Sequence, residues 1–193
     1  MSVKIGISPI SWQNDDLPDL TAAYTMEQAL SEAREIGYTG VERGRRMPAD
    51  TEGLRSYLNA NGLFLCGGWC SGNLLTNDVK TEIEAVRQQV EQFAAQKAPC
   101  IVYGEVASSI QGNRATPLSQ KRRLSDDEMK TYANNMTAFG EWCAEQGMPL
   151  SYHHHMGAVV QFEDEIDAFM ANSGEGIPLL YDAGHLAFAG GDV

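Results

Sequence analysis

All four histidines of the chain fall in two short stretches, Ser151-Tyr152-His153-His154-His155-Met156-Gly157 and Leu180-Tyr181-Asp182-Ala183-Gly184-His185, and an aspartate accompanies the second. Imidazole nitrogens and a carboxylate oxygen together suit Mn²⁺, Co²⁺, Fe²⁺ or Zn²⁺. Two or three such ligands leave coordination positions open for a substrate's oxygens. An ion held that way polarises a carbonyl and stabilises the enolate left when the neighbouring carbon loses its proton. Removing that proton needs a base within hydrogen-bond reach, and a histidine or glutamate on the same rim can serve. In an extended strand side chains alternate between faces, so His153 and His155 share one face and His154 points the other way, where a structural role suits it. Asp182 occupies the matching place in the next apolar segment, with His185 in the turn that follows. The candidate metal ligands are therefore Asp182, His153 and His155. Without a metal, the same residues read as stacked or hydrogen-bonded histidines.

The two stretches lie roughly thirty residues apart, about the length of one βα unit. The rest of the chain repeats that spacing. Buried strands are expected at residues 3–8, 39–42, 63–70, 99–106, 148–155 and 177–186. Between them, apolar residues recur at helical spacing. Met26, Ala29, Leu30, Ala33 and Ile36 line a first helix, with Thr25 and Gln28 as its capping pair and Gly37 as its stop. Further helices are expected at residues 51–61, 79–95, 125–146 and 162–170. Ser125 with Glu128 gives the fourth a strong start signal. Gly67-Gly68 inside the third strand suggests a close approach by another backbone or a ligand.

Strand-helix alternation at this spacing demands a parallel sheet. No Gly-x-Gly-x-x-Gly follows the first strand and there is no Walker motif, so a dinucleotide or P-loop fold loses its main support. Candidate site residues at the ends of several strands are the pattern of a (β/α)8 TIM-barrel. Trp12, Asn14 and Asp15 follow the first strand, although an Asx turn and simple packing would also use them. Glu42 ends the second strand, where it could instead pair with Arg43, Arg45 or Arg46, and Glu105 ends the fourth. The irregular segment 107–124 is long enough to be a lid or substrate-binding loop. A full barrel takes about 250 residues and eight units. The expectation is a single α/β domain over residues 1–193 supplying about six strands of such a barrel.

Composition narrows the function. A net charge of −12 opposes phosphate backbones and anionic membranes, and the one basic cluster, Lys121-Arg122-Arg123, is short. No signal-peptide core and no apolar run of about 20 residues is present, so a soluble cytoplasmic protein is expected. Cys66, Cys70, Cys100 and Cys143 have no framework spacing and read as reduced, buried, small apolar residues.

These stretches resemble the inosose dehydratases of inositol catabolism, within the xylose-isomerase-like barrels. The resemblance runs through Pro9 to Asp16, through Gly40-Val41-Glu42-Arg43-Gly44, and through Tyr103-Gly104-Glu105 with Ser108 to Gly112. It continues in Tyr152 to Gly157 and Tyr181 to His185, so it covers essentially the whole chain. It implies a metal-dependent lyase, with cobalt or manganese, that removes water from a keto-inositol to give a cyclic dione. On that resemblance Asp182 is the metal-binding aspartate. His153, His155, Glu105 and His185 are the catalytic candidates, and Trp12, Asn14 and Glu42 line the substrate pocket. The wider superfamily places a glutamate where His153 to His155 stand, and its members continue through a seventh and an eighth strand that supply further ligands. The resemblance thus implies a chain truncated after its sixth strand. A sugar isomerase or epimerase needs nearly the same parts. An abasic-site nuclease shares the barrel but not the charge. A shortened barrel could also serve as a binding module, or self-associate through unpaired sheet edges.

Overall fold

The computed structural model describes residues 3–15 and 17–193. Asp16, part of the first-strand motif, lies outside the described residues, as do Met1 and Ser2 at the start of the N-terminal segment.

Among the described residues, seven strand segments are separated by helices except between the third and fourth, and every strand pairing is parallel. Strands β1 (Gly6–Ile7), β2 (Gly40–Glu42) and β3 (Phe64–Gly67) hydrogen-bond in the order β1-β2-β3. Strands β4 (Trp69–Gly72), β5 (Ile101–Glu105), β6 (Leu150–His153) and β7 (Leu179–Leu180) follow in the order β4-β5-β6-β7. The connecting helices are α1 (Met26–Ile36), α2 (Thr51–Ala60), α3 (Val79–Ala95), α4 (Asp126–Glu145) and α5 (Glu163–Asn172), with a short α6 (Ala183–Phe188) after β7. This is the α/β TIM-barrel-like arrangement expected from the strand-helix spacing. No helix among the described residues is long and apolar enough to cross a membrane.

The helices start where the sequence signals them. Thr25 Oγ1 accepts the Gln28 N–H, and Asp50 and Asp78 cap α2 and α3 through Gly53 N and Thr81 N. At α4, Ser125 and Glu128 form the reciprocal pair, each satisfying the other's backbone N–H. The main core lies between the sheet and these helices. Tyr103 of β5 and Tyr152 of β6 point into it, and Tyr152 stacks on Phe169 of α5 at 4.1 Å between ring centres. Burying each of these rings stabilises the fold by roughly 1.5–3 kcal/mol.

Four expected strands differ from the structure, among them the fifth, which ends at His153 and leaves His154 and His155 beyond it. The third is two segments. Gly67 adopts φ +145°, and a Cβ there would lie 3.3 Å from the Cys100 carbonyl, so the chain kinks and passes from pairing with β2 to pairing with β5. The first is not buried: only Gly6 and Ile7 pair, on one side, and Val3 and Ile5 are exposed. The sixth ends early. Asp182 Oδ1 accepts the His185 N–H and starts α6, so residues 183–186 are helical rather than extended.

Candidate functional site

Side-chain alternation gives the sheet two faces. Cys70, Tyr103, Tyr152 and Leu179 stand in register on the face packed against the helices. Trp69, Val102, Ser151 and His153 occupy the opposite face, the inner side of the barrel. His153 is the last residue of β6, and His155 lies just beyond it. His185 comes in from the first turn of α6, fixed by the Asp182 cap. One nitrogen from each of His153, His155 and His185 lies within 4.8 Å of the other two. Their ring centres are 5.4 Å (His153–His155), 5.2 Å (His153–His185) and 4.1 Å (His155–His185) apart.

Asp182 flanks this cluster. Its Oδ2 is 4.0 Å from Nε2 of both His153 and His185. His154 is 1 % exposed and turns away from the trio; its Nε2 accepts the Asp182 N–H at 3.4 Å. It supports the turn that presents Asp182.

The electrostatics disfavour the charged forms of His153, His154 and His185. Burial, then the neighbouring rings of His155 and His185, push His153 down to about 3, with Asp182 opposing. Burial also lowers His154 and His185 against the pull of Asp182. Burial alone would raise Asp182, but the His185 N–H and the surrounding imidazoles outweigh it, and its carboxyl ends below the usual range. The 4.0 Å separations are therefore carboxylate–dipole contacts rather than ion pairs.

Neutral nitrogen lone pairs beside an ionised carboxylate are what a divalent cation requires. His155 Nδ1 lies 2.8 Å from the Met156 carbonyl, which must accept its N–H, so Nε2 keeps its lone pair. Nδ1 of His153 is buried without a protein partner. On these grounds the residues present fit a metal ion.

The other expected site residues make contacts of their own. Glu105 is 2 % exposed on the helix-facing side of β5. Its Oε1 accepts Ala107 N–H and its Oε2 accepts Leu75 N–H, with the Tyr103 hydroxyl near by. Burial pushes it up to about 7 against those backbone donors. Trp12 packs on α1 and donates Nε1–H to Glu32 at 2.6 Å. Asn14 Oδ1 accepts Leu17 N–H in an Asx-type turn, while its own N–H donates to Thr21. Glu42 ends β2 opposite Gly67, where its charge adds to burial in raising the thiols of Cys66 and Cys100. The structure thus brings together His153, His155, His185 and Asp182, while Glu105, Trp12 and Asn14 hydrogen-bond to Leu75 and Ala107, to Glu32, and to Leu17 and Thr21.

Trp69 was not among the expected site residues, yet its ring centre is 5.6 Å from both His153 and His155. The available signal was its parity: it precedes Cys70, a core residue, and so faces the other way. Segment 107–124 packs on the same rim. Ile110 N–H donates to the Gly157 carbonyl, and Lys121 reaches the Val159 carbonyl.

Residues 30–193 match the family described as xylose isomerase-like TIM barrel. The chain belongs to that family. Within it, the chain is 39% identical over 192 residues to the rhizopine catabolism protein MocC of Rhizobium meliloti, covering 100% of this chain and 59% of that protein. It is 39% identical over 194 residues to the inosose dehydratase of Clostridium perfringens strain 13, covering 100% of this chain and 65% of that enzyme. This xylose isomerase-like chain therefore spans about three-fifths to two-thirds of the length of those relatives. The fold is also that of the probable 3-DHS dehydratase AsbF of Bacillus anthracis, with a TM-score of 0.69 at 16% identity over 98% of this chain and 66% of that one.

Proposed function

We propose that this chain carries the metal-binding rim of a hydro-lyase that dehydrates a keto-inositol, scyllo-inosose (2-keto-myo-inositol), to a cyclic trihydroxy-dione. The observation that carries the reading is the meeting of His153, His155 and His185 beside Asp182. The likeness to inosose dehydratases at 39% identity supplies the substrate class. His153, His155 and Asp182 would hold Mn²⁺ or Co²⁺. When bound, such a cation draws electron density from the ketone and makes the neighbouring C–H more acidic.

The chain's own groups do the rest. His185 Nε2 takes the proton from the carbon beside the ketone. Its side chain is 18% exposed, more open than that of His153 at 11%. The Met156 N–H approaches Nδ1 at 3.5 Å, too long to fix the opposite tautomer. Asp182 stabilises the imidazolium that forms. The same nitrogen returns the proton to the hydroxyl leaving from the next carbon, so the net loss is one water.

The test is incubation of the chain with scyllo-inosose and Co²⁺ or Mn²⁺. The expected product is an absorbing, oxidisable dione, with turnover lost in His153→Ala, His155→Ala and Asp182→Ala while the fold survives. A product of unchanged composition would replace this reading with an isomerase or epimerase.

A further inference from the structure

The inner face beside the imidazoles holds an aromatic side chain that the proposed chemistry does not use. Trp69 leaves β4 on the same side as His153 and reaches across to β5, where its six-membered ring covers Gly104. Any Cβ at Gly104 would collide with that ring, so the glycine is the seat that lets the indole lie against the sheet. The other end is tied as well: Nε1–H donates to Ser71 Oγ at 2.8 Å. An indole held at both ends has little freedom left to lose when a ligand arrives.

Its relation to the imidazoles is angular. The His153 ring stands at 79° to the indole and the His155 ring at 69°, each with its centre 5.6 Å away. The three side chains form a corner, with an apolar plane as one wall and nitrogen donors as the other. Trp69 is half-buried, so part of the indole is open to solvent. A six-membered polyol ring with mainly equatorial hydroxyls has the matching shape. Its axial hydrogens make apolar faces, and its oxygens make a polar rim.

We infer that Trp69 is the platform for the substrate ring, meeting the C–H face of a cyclic polyol while the ketone and hydroxyl rim turns toward His153, His155 and His185. This inference rests on the proposed function for the identity of the ligand. It assigns Trp69 a binding role that selects ring-shaped polyols. A merely structural role would be different: a tryptophan that only packs the histidines would, when removed, disturb the metal site.

Two calorimetric titrations on each protein separate the cases, one with Co²⁺ alone and one with scyllo-inosose on the Co²⁺-loaded chain. The proteins are wild type, Trp69→Phe, Trp69→Ala and Gly104→Ala, each checked by thermal melting. Trp69→Ala is expected to keep its Co²⁺ affinity and weaken inosose binding about 10-fold, with Trp69→Phe in between. Gly104→Ala, which displaces the indole without removing it, should weaken inosose binding in the same direction. Unchanged inosose binding in Trp69→Ala overturns the platform and leaves the proposed function standing. Co²⁺ affinity lost in parallel with inosose affinity also overturns it, in favour of packing. If the wild-type chain takes Co²⁺ but no inosose, the proposed function falls and the platform with it.

Discussion

Lys121→Met should destabilise the protein by about 3 kcal/mol, although Lys121 is far in sequence from every histidine. Its Nζ sits 2.6 Å from Glu165 Oε1, with side-chain exposures of 1% and 8%. It also donates to the carbonyls of Arg122 at 3.2 Å and Val159 at 3.4 Å. Burial pulls its pKa down, and Glu165 pulls it back. Methionine keeps the stem and removes the charge and all three donors. Removing one partner of a buried pair costs about 3–5 kcal/mol, because the other charge is left uncompensated. Glu165 would keep the Gln161 and Phe162 N–H groups at 2.9 and 3.0 Å and the half-exposed Arg123 at 3.3 Å, which places the cost at the lower end. Urea unfolding of the metal-free chain at pH 7 measures it. Lys121→Met/Glu165→Leu should recover most of the loss, since both charges then leave the interior. Co²⁺ affinity should fall too, because Val159 and Val160 belong to the turn that holds His155 N–H. A loss below about 1 kcal/mol, the size typical of a surface pair, would refute the reasoning.

Glu105→Gln tests the buried carboxyl. With its folded pKa near 7 against 4.5 in the unfolded chain, the folded state holds the proton more tightly. That contribution is fully present below pH 4.5 and is lost as pH rises through 7, amounting to about 3 kcal/mol. The stability difference between variant and wild type should therefore shift in favour of the variant by about that amount from pH 4.5 to 8 in denaturant titrations. A difference independent of pH would contradict the assignment. His153 has the opposite sign: its depressed pKa, about 3 against 6.5, gives stability that is present above 6.5 and lost as pH falls. His153→Gln should move the acid-unfolding midpoint of the metal-free chain to lower pH, as followed by circular dichroism.

Much of this architecture is written in the chain. Apolar periodicity and caps such as Thr25 and Ser125 are local signals, and the helices begin where those residues stand. Strand alternation puts His153 on the inner face, whereas His155 is set by the turn in which its N–H donates to the Val160 carbonyl and His185 by the first turn of α6. What stayed hidden depends on tertiary direction. Glu105 ends a strand as a site residue would, but a strand buried on both faces, as β5 is, has no polar-apolar alternation to say which way it points. Trp12 and Asn14 carry side chains that can serve a site or a turn equally, and their bonds to Glu32 and Leu17 were not legible from spacing. The side on which Trp69 stands depends on the Gly67-Gly68 kink, which breaks the register between β3 and β4.

The central claim is that His153, His155 and Asp182 hold one divalent cation, with the His185 imidazole beside it. Titration of the purified chain with Co²⁺ at pH 7.5, read by visible absorption, tests it most directly. The account predicts one Co²⁺ per chain, with affinity reduced more than about 100-fold in His153→Ala and in His155→Ala and unchanged in Glu105→Gln, whose side chain lies on the other face of the sheet. Absence of Co²⁺ binding, or binding indifferent to those two alanine substitutions, would contradict it.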